Sequence, residues 1–348
     1  MLTNRLCQSG LLFLMLSIFS TLVIAESQPN ETVFSTKSFW YVVIPKDVTL
    51  NDNSNVFVAE FLRQKNAYYG TVGISTKNYS SPVYFVDKNT PTTNVLEWNC
   101  QNKKFKDRSL AEQWAAVRIP VNTLAANGTD AEMSIYEKDT DTLWEFWKAR
   151  RVDGQWQACW GGRILDASKS DGIFNKYYGT TATSLPFLGG QITAEELQQG
   201  EIKHVIGISL VDIESSKIFS WPAHRSDGFN PKNLPNRIPE GLRFRLDPTI
   251  DVDALKMHPV GKIIAKAAQK YGFVVWDKAG AISLRAQNSY SYTTLGQPDP
   301  YIRLFNGTPA YAILNGFPWE KLQFLPMDYG KPQTFNDGGN GRNTEDYK

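Results

Sequence analysis

The feature that most limits how this chain can fold is a succession of short strand-like runs with few helical interruptions. FWYVVIP (39–45), TVGIS (71–75), PVYFV (82–86), AAVRIPV (115–121), MSIYE (133–137), HVIGISL (204–210), LRFRL (242–246) and FVVW (273–276) alternate with period two or are rich in β-branched and aromatic residues. Asn-, Asp-, Gly- and Pro-rich breaks separate them, with no internal repeat. Side chains of a strand point alternately to two faces, so each run must bury one face against a second layer. The pattern predicts a mostly β chain: an antiparallel β-sandwich of concanavalin-like or jelly-roll type, with a few peripheral helices.

The helices carry marked ends. Asn55 to Lys65 has apolar residues at 57, 58, 61 and 62 behind a polar Asn53-Ser54 start. Ser109-x-x-Glu112 and Thr193-x-x-Glu196 are capping-box patterns, the second closed by Gly200. In PVGKIIAKAAQKYG (259–272), proline suits the first turn, Ile263, Ile264, Ala267, Ala268 and Tyr271 form one face, and Gly272 stops the helix. His258, just before it, reads as its cap.

Residues 1–25 read as a secretory signal: Arg5, then the apolar run LLFLMLSIFSTLVI (11–24), then Val23-Ile24-Ala25 as a cleavage site. The run is short for a span of about 20 residues and is followed at once by polar ESQPNET. The expectation is an extracellular or periplasmic protein with no membrane span after cleavage. One β-sandwich domain would occupy 26–329, with an N-terminal arm and inserted helices. The Gly- and Asn-rich 330–348 reads as a disordered polar tail. Losing the signal removes Cys7 and leaves Cys100 and Cys159, a plausible disulfide in an exported chain.

A formal charge of +2, with Lys and Arg spread along the chain, excludes the basic stripe that nucleic acid demands. Aromatic content is high, at 13% with ten Trp, and four of these lie in DTLWEFWKARRVDGQWQACWGGR (141–163). Asp153-Gly154 is a favoured two-residue hairpin turn. In that register Trp147 faces Trp160, Arg151 faces Trp156 and Glu145 faces Gly162, all on one side of the ribbon. Sugar rings stack their C–H faces on aromatics, and a nearby carboxylate can act on a glycosidic oxygen. Glu145 is therefore the candidate acid/base, Trp147, Trp156 and Trp160 candidate platforms, and Gly162 the space above them. The alternative is that Trp147, Ala149, Ala158 and Trp160 are core, with Glu145 at a strand end near solvent.

A glycosidase needs a second carboxyl group. Asp130, Glu132, Asp171, Asp227, Asp247 and Asp277 are all available, and no spacing selects among them. His204, opening an apolar strand, and His224, in SWPAHRSDG beside Arg225 and Asp227, are the next catalytic candidates. A uronate lyase would need a base and a group that neutralises the substrate carboxylate, for which His204, Arg225, Arg243 and Arg245 are the candidates. No H-x-H, HExxH, CxxC or EF-hand spacing occurs, so no cofactor or transition metal is expected, and DPTIDVD (247–253) is the one weak Ca²⁺ candidate. No nucleophile elbow or phosphate-binding glycine loop is present.

WEFWKARRVDGQWQACWGGR, GTTATSLPFLGGQIT, GEIKHVIGISL, SWPAHRSDG, IPEGLRFRLDP and AAQKYGFVVWDKAG follow one another between about residues 115 and 285. In that order they resemble a group of secreted soil-bacterial proteins. The resemblance implies a bacterial, exported, mostly β protein and supplies no catalytic residues. The group usually has histidine near the position of Glu132, which argues against a catalytic role for that glutamate. A fold-level likeness to concanavalin-like sandwiches that bind or cleave polysaccharides points to a glycan partner. In a bacterial protein the sequons at Asn30, Asn78, Asn127 and Asn306 carry no weight. The expected function is a secreted glycoside hydrolase or polysaccharide lyase. A non-catalytic glycan binder and an envelope protein without ligand are the alternatives.

Overall fold

The computed structural model describes residues 32–333, so the expected signal segment, and the expected tail beyond 333, lie outside the described residues. Strands account for most of the elements. In chain order they are β1 (Gly73–Ser75), β2 (Val83–Val86), β3 (Thr92–Thr93), β4 (Leu96–Glu97), β5 (Val117–Arg118), β6 (Met133–Glu137), β7 (Thr142–Trp147) and β8 (Arg150–Val152). They continue with β9 (Gln155–Ala158), β10 (Trp160–Ile164), β11 (Ile206–Leu210), β12 (Arg243–Leu246), β13 (Phe273–Lys278), β14 (Ser283–Arg285) and β15 (Leu322–Phe324). A six-stranded sheet runs β1-β14-β11-β13-β12-β15 and a four-stranded sheet β10-β7-β6-β2, with small sheets β4-β9-β8 and β3-β5.

The sheets are mixed, which corrects the antiparallel expectation. Parallel pairs join β1 to β14, β11 to β13, β2 to β6 and β4 to β9. Alternation tells which face of a strand is buried but not which way its neighbour runs. Parallel neighbours need a crossover, and between β11 and β13 that crossover contains a helix, Pro259–Lys270.

Strand β13 shows how the layers are divided. Phe273 and Val275 join a core with Ile264, Ala267 and Ala268 of that helix and with Phe57 and Phe61 of the helix Ser54–Ala67. Val274 and Trp276, on the opposite face, join a second core with Ile135 of β6 and Leu143 of β7. The six-stranded sheet therefore carries helices on one side and faces the four-stranded sheet's core on the other. Trp276 lies flat over Gly207, where any Cβ would collide with its ring.

The helices among the described residues, in chain order, are α1 (Ser54–Ala67), α2 (Arg108–Gln113), α3 (Phe187–Gly190), α4 (Ala194–Gln199), α5 (Pro259–Lys270), α6 (Tyr290–Thr293) and α7 (Pro300–Phe305), with short 3-10 turns elsewhere. Thr193 caps α4 with a complete capping box, Gly200 ends it in the left-handed region at φ 81°, and His258 Nδ1 caps α5. Helix α2 is capped by Asp107, two residues before the expected Ser109, because its carboxylate accepts from both Ser109 N and Leu110 N. FWYVVIP forms no strand. Trp40 turns inward, donating Nε1 to Gly172 O at 2.9 Å, and residues 39–41 wind into a short 3-10 turn that leaves Val42 and Val43 exposed. No helix among the described residues is long and apolar enough to cross a membrane.

Candidate functional site

The tryptophan ribbon adopts the register that its turn implies. Asp153 and Gly154 both take positive φ, 49° and 82°, as a type I′ turn requires. Trp147 pairs with Trp160, Glu145 with Gly162 and Arg151 with Trp156. Cys100 and Cys159 form a disulfide with Cα atoms 5.6 Å apart, fastening the 99–107 loop to the ribbon just before Trp160. At Gly161, φ is +155° and a Cβ would strike Glu145 O, so glycine alone permits the close pairing of β10 with β7.

Glu145 lies neither in a cleft nor at a solvent-facing strand end. Its side chain is fully enclosed, Oε1 accepting from Ser134 Oγ (3.2 Å) and Leu188 N (3.0 Å), Oε2 from Thr180 Oγ1 (2.8 Å) and Phe187 N (3.1 Å). The space expected above Gly162 is filled: a Cβ there would stand 2.9 Å from both Phe174 and Tyr178. Burial pushes the Glu145 carboxyl up to about 7, against the hydrogen bonds that favour its charge. What Glu145 does is tie. Segment 179–190 is held to the four-stranded sheet by this carboxylate and to the six-stranded sheet by Thr183 Oγ1 on Trp276 O at 2.8 Å.

The other candidates are dispersed. His204 is buried, Nδ1 on Val205 O at 2.8 Å and Nε2 3.2 Å from Glu196 Oε1, the capping-box acid of α4. Arg225 binds Thr181 O (2.7 Å), Gly179 O (3.2 Å) and Ser184 Oγ (3.1 Å), so it pins the same inter-sheet segment. His224 is half-buried and its backbone N donates to Thr183 O at 3.0 Å. Arg243, only 2% exposed, donates to Tyr271 O at 2.8 Å beneath the Phe39 and Tyr329 rings, and burial lowers its pKa to about 10. No glycan reaches it there. Trp156 is core. Trp147 is half-buried, its Nε1 donating to Asp130 Oδ1 at 3.0 Å.

Several of the acids that sequence left unranked do converge. Arg285 holds Glu132 at 3.3 Å and Asp277 at 3.1 Å. Burial raises Glu132 to about 7 and Asp277 to about 6, against the pull of Arg285. Asp130 and Asp227 lie within electrostatic reach of Asp277, and Asp227 is hydrogen-bonded to Glu240. Burial and the Asp227 charge drive Glu240 well above the ordinary carboxylate range. Glu240 was not foreseen: IPEG looks like a plain turn. Among the described residues no group of three or more His, Cys, Asp or Glu could hold a metal ion. In DPTIDVD, Asp247 binds Thr249, Asp251 caps a short turn and Asp253 pairs with Lys266.

The accessible feature is a cleft that the sequence did not single out. It is open, about 770 Å³ in volume, and lies where the 105–109 loop, the end of β10 and residues 173–178 meet. Phe105 (74% exposed), Tyr177 and Tyr178 supply aromatic surface, and Lys106, Arg108, Arg163 and Lys176 supply positive charge. Tyr178 stacks on Trp160 with ring centroids 5.8 Å apart, and Lys103 Nζ covers the indole at 3.6 Å. Trp160 therefore backs the cleft wall without itself facing solvent. The available signal was the pair KKFKDR (103–108) and NKYY (175–178), cations interleaved with aromatics in two loops. No known protein family, curated protein or solved structure matches the chain, so its class rests on this geometry.

Proposed function

We propose that this chain is an exported carbohydrate-binding protein of bacterial origin that engages a glycan in the aromatic, cationic cleft beside Trp160. The observation that carries the reading is the exposed Phe105 and half-buried Tyr177 lining an open cleft backed by the Trp160–Tyr178 stack. Rings held by packing give sugar faces a platform at little entropic cost. The apparent secretory signal and the Cys100–Cys159 disulfide favour an oxidising compartment outside the cytoplasm. The shared core of the two larger sheets favours a sandwich architecture for a single domain across the described residues.

Binding is preferred to catalysis because Glu145, His204 and Arg243 are enclosed and spent on structural partners. A glycoside hydrolase or lyase is the second reading. One arrangement favours it: Asp277, at the end of β13 and 3.1 Å from Arg285, is pushed by burial up to about 6 with Asp227 and Glu240 close by, a range suited to general-acid work. The test is affinity electrophoresis of the mature protein, from Glu26, in gels containing neutral and acidic polysaccharides. Reducing ends and unsaturated-uronate absorbance are followed in parallel. Retardation that is lost in Tyr177→Ala, without products, supports the binder. Products that vanish in Asp277→Asn replace it with the enzyme. No retardation and no products in any gel would sink both.

A further inference from the structure

Resting on the glycan reading, we infer that the cleft selects an acidic glycan, a polyuronate, and that Arg163 is the residue that grips its carboxylate. The charge in the cleft is a local concentration, because the whole chain carries only +2. Lys106, Arg108, Arg163 and Lys176 line it, and the single acid lining it is Asp107. That acid is already used: Oδ1 accepts from Ser109 N at 2.9 Å and Leu110 N at 3.1 Å, and the Tyr178 hydroxyl lies 3.3 Å away. The cleft lining therefore carries a net positive charge, four cations against one carboxylate, between aromatic rings.

Arg163 differs from the other cations in how it is held. It stands on β10 opposite Trp144, and its backbone N donates to Gln113 Oε1 at 2.9 Å. Its side chain is half-buried and its guanidinium makes no ion pair among the described residues. A half-buried guanidinium with no carboxylate partner is free to take one from a ligand. A fork of donors on a fixed strand is the geometry that meets a carboxylate with two parallel hydrogen bonds. Arg108 is paired with Glu112 at 3.4 Å, but both are exposed, so a ligand anion can displace that contact. Lys106 and Lys176, exposed on two facing loops, supply charge for flanking rings.

A nucleic acid is the less favoured polyanion. The cations form a short cluster around one cleft rather than a stripe, and its volume of about 770 Å³ suits a few sugar rings. Alternating rings and carboxylates match aromatic rings and cations set side by side.

The experiment measures binding of the mature protein to polygalacturonate, to the same polymer fully methyl-esterified, to a neutral β-glucan and to a single-stranded oligonucleotide of similar length. Wild type, Arg163→Ala and Arg163→Lys are compared, with near-UV circular dichroism as the check on folding. The expected result is that polygalacturonate binds about tenfold or more tightly than its ester, with affinity falling as salt rises. Arg163→Ala removes most of that preference, and Arg163→Lys restores little of it because an ammonium cannot form the fork. Equal binding of acid and ester, or preference for the neutral glucan, overturns the inference and leaves the glycan reading standing. Preservation of the acid preference in a folded Arg163→Ala overturns the role of Arg163. An oligonucleotide bound as tightly as polygalacturonate overturns the ligand class, and no binding to any glycan overturns both readings.

Discussion

Lys103 Nζ rests 3.6 Å from the centre of the Trp160 indole, and the Cys100–Cys159 disulfide holds together the two segments that carry them. The loop between Asn99 and Asp107 has few other ties: Asn99 and Lys103 bond each other, and Asp107 N donates to Glu97 Oε2 at 2.7 Å. That loop supplies Phe105 and Lys106 to the cleft. Reduction should therefore act on binding as well as on stability. For a sequence separation of 59, the chain-entropy model gives about 4 kcal/mol. Thermal melts with and without reductant, paired with glycan affinity at a temperature where the reduced protein is still folded, check this. The expectation is a lower Tm and several-fold weaker binding, both reproduced by Cys100→Ser/Cys159→Ser. Unchanged affinity in the reduced, folded protein would separate the loop from the site.

Glu145 answers four donors from three parts of the chain, Ser134, Thr180 and the start of α3. Glu145→Ala strands buried donors at about 1–3 kcal/mol each, so a large loss of stability is expected. Glu145→Gln keeps the shape but turns an amide N–H toward donors, and its loss should be smaller. The pH dependence follows from the direction of the shift. Folding raises this carboxyl from 4.5 to about 7, so the native state holds a proton that the unfolded chain releases. Its contribution to stability is fully present below about 4.5 and is lost as pH rises through about 7. Denaturant titrations from pH 4.5 to 8 should show a shallower decline in Glu145→Gln than in wild type. An unchanged slope would mean that Glu145 does not carry it.

How much of this was legible can be traced through particular residues. The Asp153-Gly154 turn set the pairing of Trp147 with Trp160 and Glu145 with Gly162, because a two-residue turn leaves the register no freedom. Thr193, Glu196 and Gly200 bounded α4, and Pro259 and Gly272 framed α5, because caps are local chemistry. The direction of strand pairing was not legible, since alternation is the same for parallel and antiparallel neighbours. Nor was the environment of Glu145. Whether a carboxylate faces a cleft or the backbone of residues 187 and 188 depends on a segment more than 40 positions away, and |i−j| is 42 and 43 for those bonds. The cleft was missed because its cations and rings come from loops, where no periodicity marks a face.

His204 and Glu196 form a buried pair whose two halves titrate in opposite senses. Burial disfavours the imidazolium, but the Glu196 charge and hydrogen bond outweigh it, so the pKa of His204 is raised from 6.5. Burial likewise penalises the Glu196 charge, and His204 outweighs it, so that carboxyl is lowered from 4.5. The His204 contribution is present below 6.5 and is lost as pH rises through its folded value. The Glu196 contribution is present above 4.5 and is lost as pH falls through its own. The pair should therefore stabilise most between these limits. His204→Gln should flatten the stability profile at both edges, and NMR titration of the His204 ring should show a pKa above 6.5. A ring that titrates below that value would break the pair as described.

Gly207 offers a test of the interface between the layers. It sits on β11 with the Trp276 indole flat against its Cα, so that a methyl group would meet the ring system directly. The indole has little room to retreat: Phe187 packs edge-on at 5.3 Å, and Gly190 lies close to its far edge. The backbone at Gly207 is ordinary, so Gly207→Ala brings no conformational strain, and any loss comes from overpacking. Such insertions typically cost about 1–3 kcal/mol, and a fixed aromatic ring places this one at the upper end. Gly154→Ala, in the exposed turn with open space around it, is the contrasting case. Its positive φ of 82° is what the methyl group opposes, at a cost of about 1 kcal/mol. Denaturant midpoints of the two variants decide the matter. Equal losses would mean that Trp276 moves freely and that the two sheets are not locked through it, in which case the polar ties of Glu145, Thr183 and Arg225 hold segment 179–190 between them.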